Sequence, residues 1–165
     1  MIRRVKKDRV PYDLWERDGF LQTTEGNVIH YSFIEKKILE LGQLFRIKEV
    51  AYDSWGAIQM TQNLQGHDFE MIEYRQNFQT LSPPSKELMR LVLDERFRHG
   101  GNPVLRWMFD NVHVETDAAA NIRPSKKKSR EKIDGAVAAI MALDRAIHNK
   151  GIKIIIIGWC QYAKN

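Results

Sequence analysis

The stretch "RIKEVAYDSWGAIQMTQNLQGHDFEMIEY", residues 46–74, decides the fold class of this chain. Apolar and polar residues alternate up to Tyr52, which predicts a strand that ends near Asp53. A helix is predicted over residues 55–64, and a second strand follows it over residues 69–74. Strand, helix and strand in this order are typical of a parallel crossover, in which a helix connects two parallel strands. The sequence therefore predicts an α/β domain.

The rest of the chain adds helices and short strands around this unit. Apolar residues spaced by three and four predict a helix over residues 32–44, after a strand at 20–23. In "SPPSKELMRLVLDERFRHGG", Ser82 is interpreted as a helix cap, with prolines in the first turn and a double glycine as the stop. A short helix starts at Pro103, and "NVHVETDAAANIRPS" predicts an exposed strand that leads into a turn. A final, largely buried helix is predicted over residues 125–148.

Length and composition limit the class of protein. A chain of 165 residues with 43% apolar residues is long enough for one domain with a proper core. A net charge of +5 suits a polyanionic partner without identifying one. Cys160 is the only cysteine, which excludes a disulfide framework and leaves too few thiols for a structural zinc site. The single cysteine makes a reducing cytoplasm the expected setting. Neither a signal peptide nor a membrane span is indicated.

Two aspartates occupy positions that suit chemistry. Asp53 comes where the first crossover strand ends, and the carboxyl ends of strands form the ligand-facing edge of open α/β sheets. The alternative is that Asp53 only caps the helix that starts at Trp55. Asp134 is predicted to lie inside the final helix among apolar residues, where an unpaired carboxylate would carry a desolvation cost of several kcal/mol.

Asp134 therefore needs a cation. A salt bridge to Lys132, Arg130 or Arg145 would supply one, and so would a divalent metal ion shared with Asp53. Gly135 directly after Asp134 would let a ligand or another backbone approach closely. These alternatives stay open on the residues alone.

A resemblance to a known family rests on four blocks in register: "RVPYDLWERDGFLQTTEGNVIHYSFIEKKILEL", "EVAYDSWGA", "QNFQTLSPPSKELMRLVLDERFRHGGNPVLRWMFDNVHV" and "ANIRPSKKKSREKIDGAVAAIMAL". Together they resemble the C-terminal nuclease half of tailed-bacteriophage terminase large subunits. The resemblance covers most of the chain, from Arg4 to Ala146. It implies a fold similar to ribonuclease H, with a mixed sheet flanked by helices, on which acidic clusters bind divalent metals and hydrolyse double-stranded DNA.

The resemblance also implies roles for individual residues. The family's second acid falls on Asp53 of "AYDSW" and its third on Asp134 of "KIDG", both as catalytic metal ligands for Mg²⁺ or Mn²⁺. In a two-metal mechanism one ion activates the attacking water and the other stabilises the leaving oxygen. The implied partners are double-stranded DNA, the terminase small subunit and the portal protein, in the cytoplasm of a bacterial host.

The chain also departs from the family's pattern. The family's first acid lies on a strand that would precede "RVKKDRVPYDLW", so the expectation is a fragment, through an internal start, a split gene or a decayed prophage copy. Residues 1–150 are predicted to be the nuclease domain, truncated at its N-terminal strand. Residues 151–165 are predicted to be an atypical tail, either an added strand or a substituted terminus.

The run "KKKSR" leads into the helix that carries Asp134. It predicts a DNA-binding surface made of Lys126, Lys127, Lys128 and Arg130, which would hold phosphates beside the scissile bond. The alternative is a solvated basic face without a partner. Two functions from different classes therefore remain: an endonuclease of DNA packaging, and a catalytically incomplete remnant that only binds DNA or docks on packaging partners.

Overall fold

The structure, a computed structural model, describes residues 5, 6, 8–24, 31–53 and 58–149 and the backbone of 161–163. Its helices are α1 (Tyr12–Arg17), α2 (Tyr31–Leu44), α3 (Ile58–Gln65), α4 (Phe78–Leu93), α5 (Pro103–Asp110) and α6 (Asp134–His148). Its strands are β1 (Gln22–Thr24), β2 (Val50–Tyr52), β3 (Met71–Glu73), β4 (Val114–Thr116), β5 (Ile122–Pro124) and β6 (Gln161–Ala163). Predictions that concern Trp55 or Cys160 lie outside the described residues.

The predicted parallel crossover is confirmed. Strands β2 and β3 pair in parallel, with Val50 opposite Met71 and Tyr52 opposite Glu73. The N–H of Tyr74 donates to the carbonyl of Tyr52 over 2.8 Å, which continues the pairing just past β3. Helix α3 connects the two strands and packs on β3. Asp53 therefore follows directly on a strand that is paired up to its last residue.

Helix α4 begins earlier than predicted. The side chain of Asn77 accepts a hydrogen bond from the N–H of Thr80 over 2.8 Å, so the cap is Asn77 and the prediction of Ser82 as the cap is wrong. Pro84 lies within the helix and has no N–H to offer the carbonyl of Thr80. The hydroxyl of Tyr74 donates to that carbonyl instead, over 3.2 Å. This bond satisfies one of the acceptors that the prolines leave free.

Helix α6 begins later than predicted, because residues 125–133 form turns and bends and not the first turns of a helix. Ser125 is buried, and its N–H donates to the carbonyl of His113 over 2.8 Å. Its own carbonyl accepts from the hydroxyl of Ser129 over 2.7 Å. Local hydrogen bonds of this kind compete with helix formation. The basic lead-in is therefore a fixed turn, and the helix starts at Asp134.

Two further strand pairs complete the described sheets. Strands β4 and β5 form an antiparallel hairpin, of which the sequence predicted only the first strand. Strand β1, two residues later than predicted at its start, pairs in parallel with β6. The predicted tail thus contributes a strand at residues 161–163, which is one of the two alternatives that the sequence left open.

The core consists of two clusters of buried apolar side chains. One includes Tyr12 of α1 and Met108 of α5, and Trp107 packs against it, in the core position that its apolar surroundings favour. The other includes Leu81 of α4 and Val137 of α6, and Ala51 of β2 packs against it. The two clusters both contain residues of α6, so this helix is the central element of the described fold.

Helix α2 matches its predicted bounds to within one residue, but the described residues cover its apolar face only in part: Ile34, Ile38 and Leu41 are half-buried. None of its residues is buried, and Phe33 is 50% exposed. Among the described elements it packs on α3, and its Gly42 lies against the ring of Phe69. The spacing of apolar residues predicted the helix correctly without saying what packs on it.

Candidate active site

Asp53 is an exposed residue at the carboxyl end of β2. Its carboxylate makes no hydrogen bond and no ion pair with the described residues. A free carboxylate at the end of a parallel strand is available to a ligand. Residues 54–57, on which the alternative role of Asp53 as a helix cap depends, lie outside the described residues.

Asp134 is the first residue of α6, and its side chain is 51% exposed. The prediction of a carboxylate buried among apolar residues is therefore wrong. The physical reason is the late start of the helix: Ile133, 2% exposed, takes the buried position at the helix cap, and Asp134 faces water. A carboxylate in the first turn also interacts favourably with the N-terminal end of the helix dipole.

The cation beside Asp134 is none of the three that the sequence suggested. Nζ of Lys126 lies 3.2 Å from Oδ1 of Asp134, and this side chain was predicted to bind DNA. Arg145 instead donates from Nε to Oε2 of Glu49 over 2.6 Å. That hydrogen bond lowers the pKa of Glu49 and raises the pKa of Arg145. The sequence carries no periodic signal for either pairing.

The elements that carry the two aspartates pack against each other. Helix α6 contacts β2, and Ala51 of β2 packs against the cluster that includes Ile133 and Val137. The Glu49 carboxylate, 9% exposed, is fixed to Arg145. The end of β2 and the first turn of α6 therefore belong to two elements held together by apolar contacts and one shielded ion pair.

Gly135 serves packing between helices. A Cβ atom at this position would lie 2.7 Å from Sδ of Met108, and the N–H of Gly135 points at the same sulfur over 3.1 Å. The sequence predicted close approach by a ligand or a backbone. The close approach is real, but a side chain of α5 occupies the space.

The basic run divides into residues that are paired and residues that are free. Lys126 contacts Asp134, and Nζ of Lys128 lies 3.2 Å from Oε1 of Glu115 in the hairpin. The pKa of Glu115 is lowered, chiefly by its hydrogen bond with Lys128. Lys127 and Arg130 are exposed and make no ion pair within the described residues. Two of the four predicted DNA contacts are thus engaged inside the protein.

The donors in this region fit a hydrated divalent ion. Both aspartates offer hard carboxylate oxygens to water, and Mg²⁺ is commonly bound by one or two carboxylates while it keeps several waters. Over the described ranges, no group of three or more His, Cys, Asp or Glu side chains is placed to hold a metal ion.

Asp117, in the turn between β4 and β5, has a structural role. Its carboxylate accepts hydrogen bonds from the N–H groups of Ala119 and Asn121 and so closes the hairpin turn.

These features first define the class of protein: an α/β domain with exposed carboxylates at the end of a strand and at the start of a helix. A family model described as "Terminase large subunit, endonuclease domain" matches residues 1–150. The chain belongs to this family, and the resemblance stated from the sequence is confirmed.

Individual relatives agree. The chain is 37% identical over 145 residues to "Terminase, large subunit" of Enterobacteria phage HK97, covering 87% of this chain and 29% of that relative. It is 32% identical over 138 residues to "Protein YmfN" of Escherichia coli (strain K12), covering 82% of this chain and 30% of the relative. The crystal structure of the HK97 bacteriophage large terminase matches with a TM-score of 0.79 at 36% identity, over 87% of this chain and 30% of that one.

The chain thus spans about three tenths of the length of these relatives. No described helix combines the length and the apolar content that crossing a membrane requires.

Proposed function

We propose that this chain is the nuclease part of a phage DNA-packaging terminase, which cuts concatemeric double-stranded DNA in the cytoplasm of the bacterial host with Mg²⁺ or Mn²⁺. Asp53 and Asp134 are its metal ligands and catalytic carboxylates. One observation carries the proposal: in a chain of this family, two exposed carboxylates stand at the ends of two elements that pack together, β2 and α6.

Distances along the chain support a shared position for the two aspartates. Glu49 and Arg145 mark one point where β2 and α6 meet. From this point β2 advances by about 13 Å to Asp53, at roughly 3.3 Å per residue. Helix α6 leads back by about 16 Å to Asp134, at roughly 1.5 Å per residue. The two arms are of similar length. We therefore propose that β2 and α6 run in opposite directions, which would bring both carboxylates to the same end of the unit.

The aspartates and the basic residues of this region would have different roles in the reaction. Divalent ions would supply the activation of water and the stabilisation of the leaving oxygen. Asp53 and Asp134 would bind the ions through their exposed oxygens. Lys127 and Arg130, free of ion pairs within the described residues, would contact DNA phosphates. The terminase small subunit and the portal protein are the proposed protein partners.

Positioning of two ions needs a third acid, and the described residues place none in a metal-binding group with Asp53 and Asp134. We propose that a segment outside the described residues or another polypeptide supplies it. The second candidate function, a remnant that only binds DNA or docks on packaging partners, is favoured by one observation: the described residues contain no group of three metal-binding side chains.

Nicking of supercoiled plasmid tests the proposal. The chain is mixed with a polypeptide that carries the family's first acid, in the presence of Mg²⁺ or Mn²⁺. We expect Asp53→Asn and Asp134→Asn each to abolish the cutting that the mixture shows, because each keeps the shape of the side chain and removes its charge.

Asp68→Asn is the matched control. Asp68 is exposed and precedes β3, at the opposite end of the parallel pair from Asp53, and its φ of 63° is one that asparagine tolerates. Cutting that persists in both the Asp53 and the Asp134 variants would place the active site elsewhere. A mixture that never cuts, whatever the metal, would favour the remnant.

A further inference from the structure

We propose that Lys126 is the resident counter-cation of Asp134, which a divalent ion has to displace before this carboxylate can coordinate it. The inference rests on the proposed function, because it treats Asp134 as a metal ligand. The observation behind it is the distance of 3.2 Å between Nζ of Lys126 and Oδ1 of Asp134.

The backbone on which Lys126 stands is fixed. Its neighbours Pro124 and Ser125 are buried, and Ser125 bonds to His113 of the hairpin through its N–H. The N–H of His113 in turn donates to the hydroxyl of Ser129 over 3.0 Å, which closes the turn from the other side. A turn pinned at both ends returns the Lys126 side chain to the same place, so less conformational entropy opposes the ion pair than on a mobile loop.

The neighbouring basic residues show that this contact is specific to one lysine. Lys128 turns to Glu115 of the hairpin, and Lys132, closer to Asp134 in sequence, is exposed and has no ion pair within the described residues. The conformation of the turn, and not distance along the chain, therefore determines which lysine of the basic run pairs with Asp134. Lys132 therefore provides a matched control: it carries the same charge near Asp134 in sequence but makes no ion pair with that carboxylate.

Competition follows from the chemistry of the carboxylate. The ammonium group and a hydrated Mg²⁺ or Mn²⁺ ion would compete for its oxygens, and Oδ1 lies 3.2 Å from the ammonium nitrogen of Lys126. The ion pair is half exposed, so its coupling to metal binding is moderate, in the range of exposed salt bridges. The displaced ammonium group remains on the same turn, where it can donate hydrogen bonds to a DNA phosphate. The pair thereby keeps an isolated carboxylate neutralised until metal and substrate arrive.

Binding of Mn²⁺ to the full 165-residue chain tests the inference, with free Mn²⁺ measured by electron paramagnetic resonance. Lys126→Met removes the charge and keeps the length of the side chain, so we expect it to tighten Mn²⁺ binding about two- to fivefold. Lys132→Met should tighten it clearly less, because that charge acts only through solvent. The excess of the first variant over the second should shrink as salt is added.

The outcomes separate this inference from the proposed function. Equal Mn²⁺ affinities of the two lysine variants, or weaker binding by Lys126→Met, would overturn the counter-cation role while leaving Asp134 as a ligand. Asp134→Asn reports on the ligand itself: wild-type binding that survives this substitution, or no Mn²⁺ binding by the wild-type chain, would overturn both. Circular dichroism of each variant verifies that it has folded.

Discussion

Nε of Arg145 donates to Oε2 of Glu49 over 2.6 Å, and only 9% of the Glu49 side chain is exposed. The bond joins the residue before β2 to the last turn of α6. Because water screens the pair little, it is worth more than a surface salt bridge. It holds the strand that leads to Asp53 at one position along the helix that begins at Asp134.

Glu49→Gln removes the charge of this pair and keeps its shape. We expect the free energy of unfolding at neutral pH to fall by about 1.5–3 kcal/mol, the range for hydrogen bonds to charged groups. Urea denaturation measures the change. Glu131→Gln serves as control: Glu131 is exposed and unpaired among the described residues, so its variant should stay within about 0.5 kcal/mol of wild type.

The same pair predicts part of the response to acid. The pKa of Glu49 is lowered from its ordinary value of 4.5, chiefly by the hydrogen bond from Arg145. A carboxyl group with a lowered pKa in the folded state stabilises the fold fully above its unfolded pKa, and the stabilisation is lost as the pH falls through the folded pKa. The difference in unfolding free energy between wild type and Glu49→Gln should therefore shrink from about pH 5 downwards. A difference that stays constant down to acid unfolding would contradict this assignment.

Gly135→Ala should destabilise the packing between α5 and α6. The added Cβ would lie 2.7 Å from Sδ of Met108, a side chain that is 1% exposed and has little room to move. Overpacking costs about 1–3 kcal/mol, and better helix propensity offsets up to about 1 kcal/mol of it. We expect a net destabilisation of about 1 kcal/mol in chemical denaturation. In the double variant with Met108→Ala the two effects should be less than additive, and strict additivity would show that the close approach is not the cause.

Sequence patterns predicted helices and strands correctly where the conformation depends on residues that are close together in the chain. The alternation before Tyr52 and the proline at 103 indicated β2 and α5, because strand periodicity and the preference of proline for the first turn of a helix are local. Helix starts were wrong where side chains compete for the backbone: Asn77 caps α4 ahead of Ser82, and Ser125 ties the basic lead-in into a turn. Those hydrogen bonds depend on tertiary neighbours such as His113, which no local pattern reports.

The sequence predicted the residues of the candidate site better than it predicted their surroundings. Both aspartates could be named because the family resemblance implies roles for them, and the exposure of Asp53 follows from its place after a strand. The surroundings of Asp134 could not be predicted, because the salt bridge to Lys126 depends on how the turn folds back. Whether the two aspartates share an ion remains a prediction, which the metal-binding and nicking experiments address.

The division of the basic run predicts how DNA affinity responds to salt. Lys127 and Arg130 are free of ion pairs among the described residues, so Lys127→Met and Arg130→Met should each flatten the dependence of log K on log salt. The slope should fall in magnitude by about 0.9 for each phosphate that the variant no longer neutralises. Lys128→Met should change it less, because Lys128 already pairs with Glu115. Fluorescence anisotropy of a labelled duplex at several salt concentrations measures the slopes. A DNA affinity that does not change with salt would contradict electrostatic binding altogether.

The last prediction concerns the number of ions that the chain can hold. Two carboxylates can bind one divalent ion, but alignment of two ions for in-line attack needs a third acid. Among the described residues, no three His, Cys, Asp or Glu side chains form a group that could hold a metal ion. We expect the chain alone to bind about one Mn²⁺ in calorimetric titration and to nick plasmid near background. Mixed with a polypeptide that carries the family's first acid, it should bind about two ions and cut. Asp134→Asn should reverse both gains and shift the unfolding free energy by no more than about 1 kcal/mol, because Asp134 is exposed in the first turn of its helix. Two ions bound by the chain alone, together with robust cutting, would show that a third acid already lies within it.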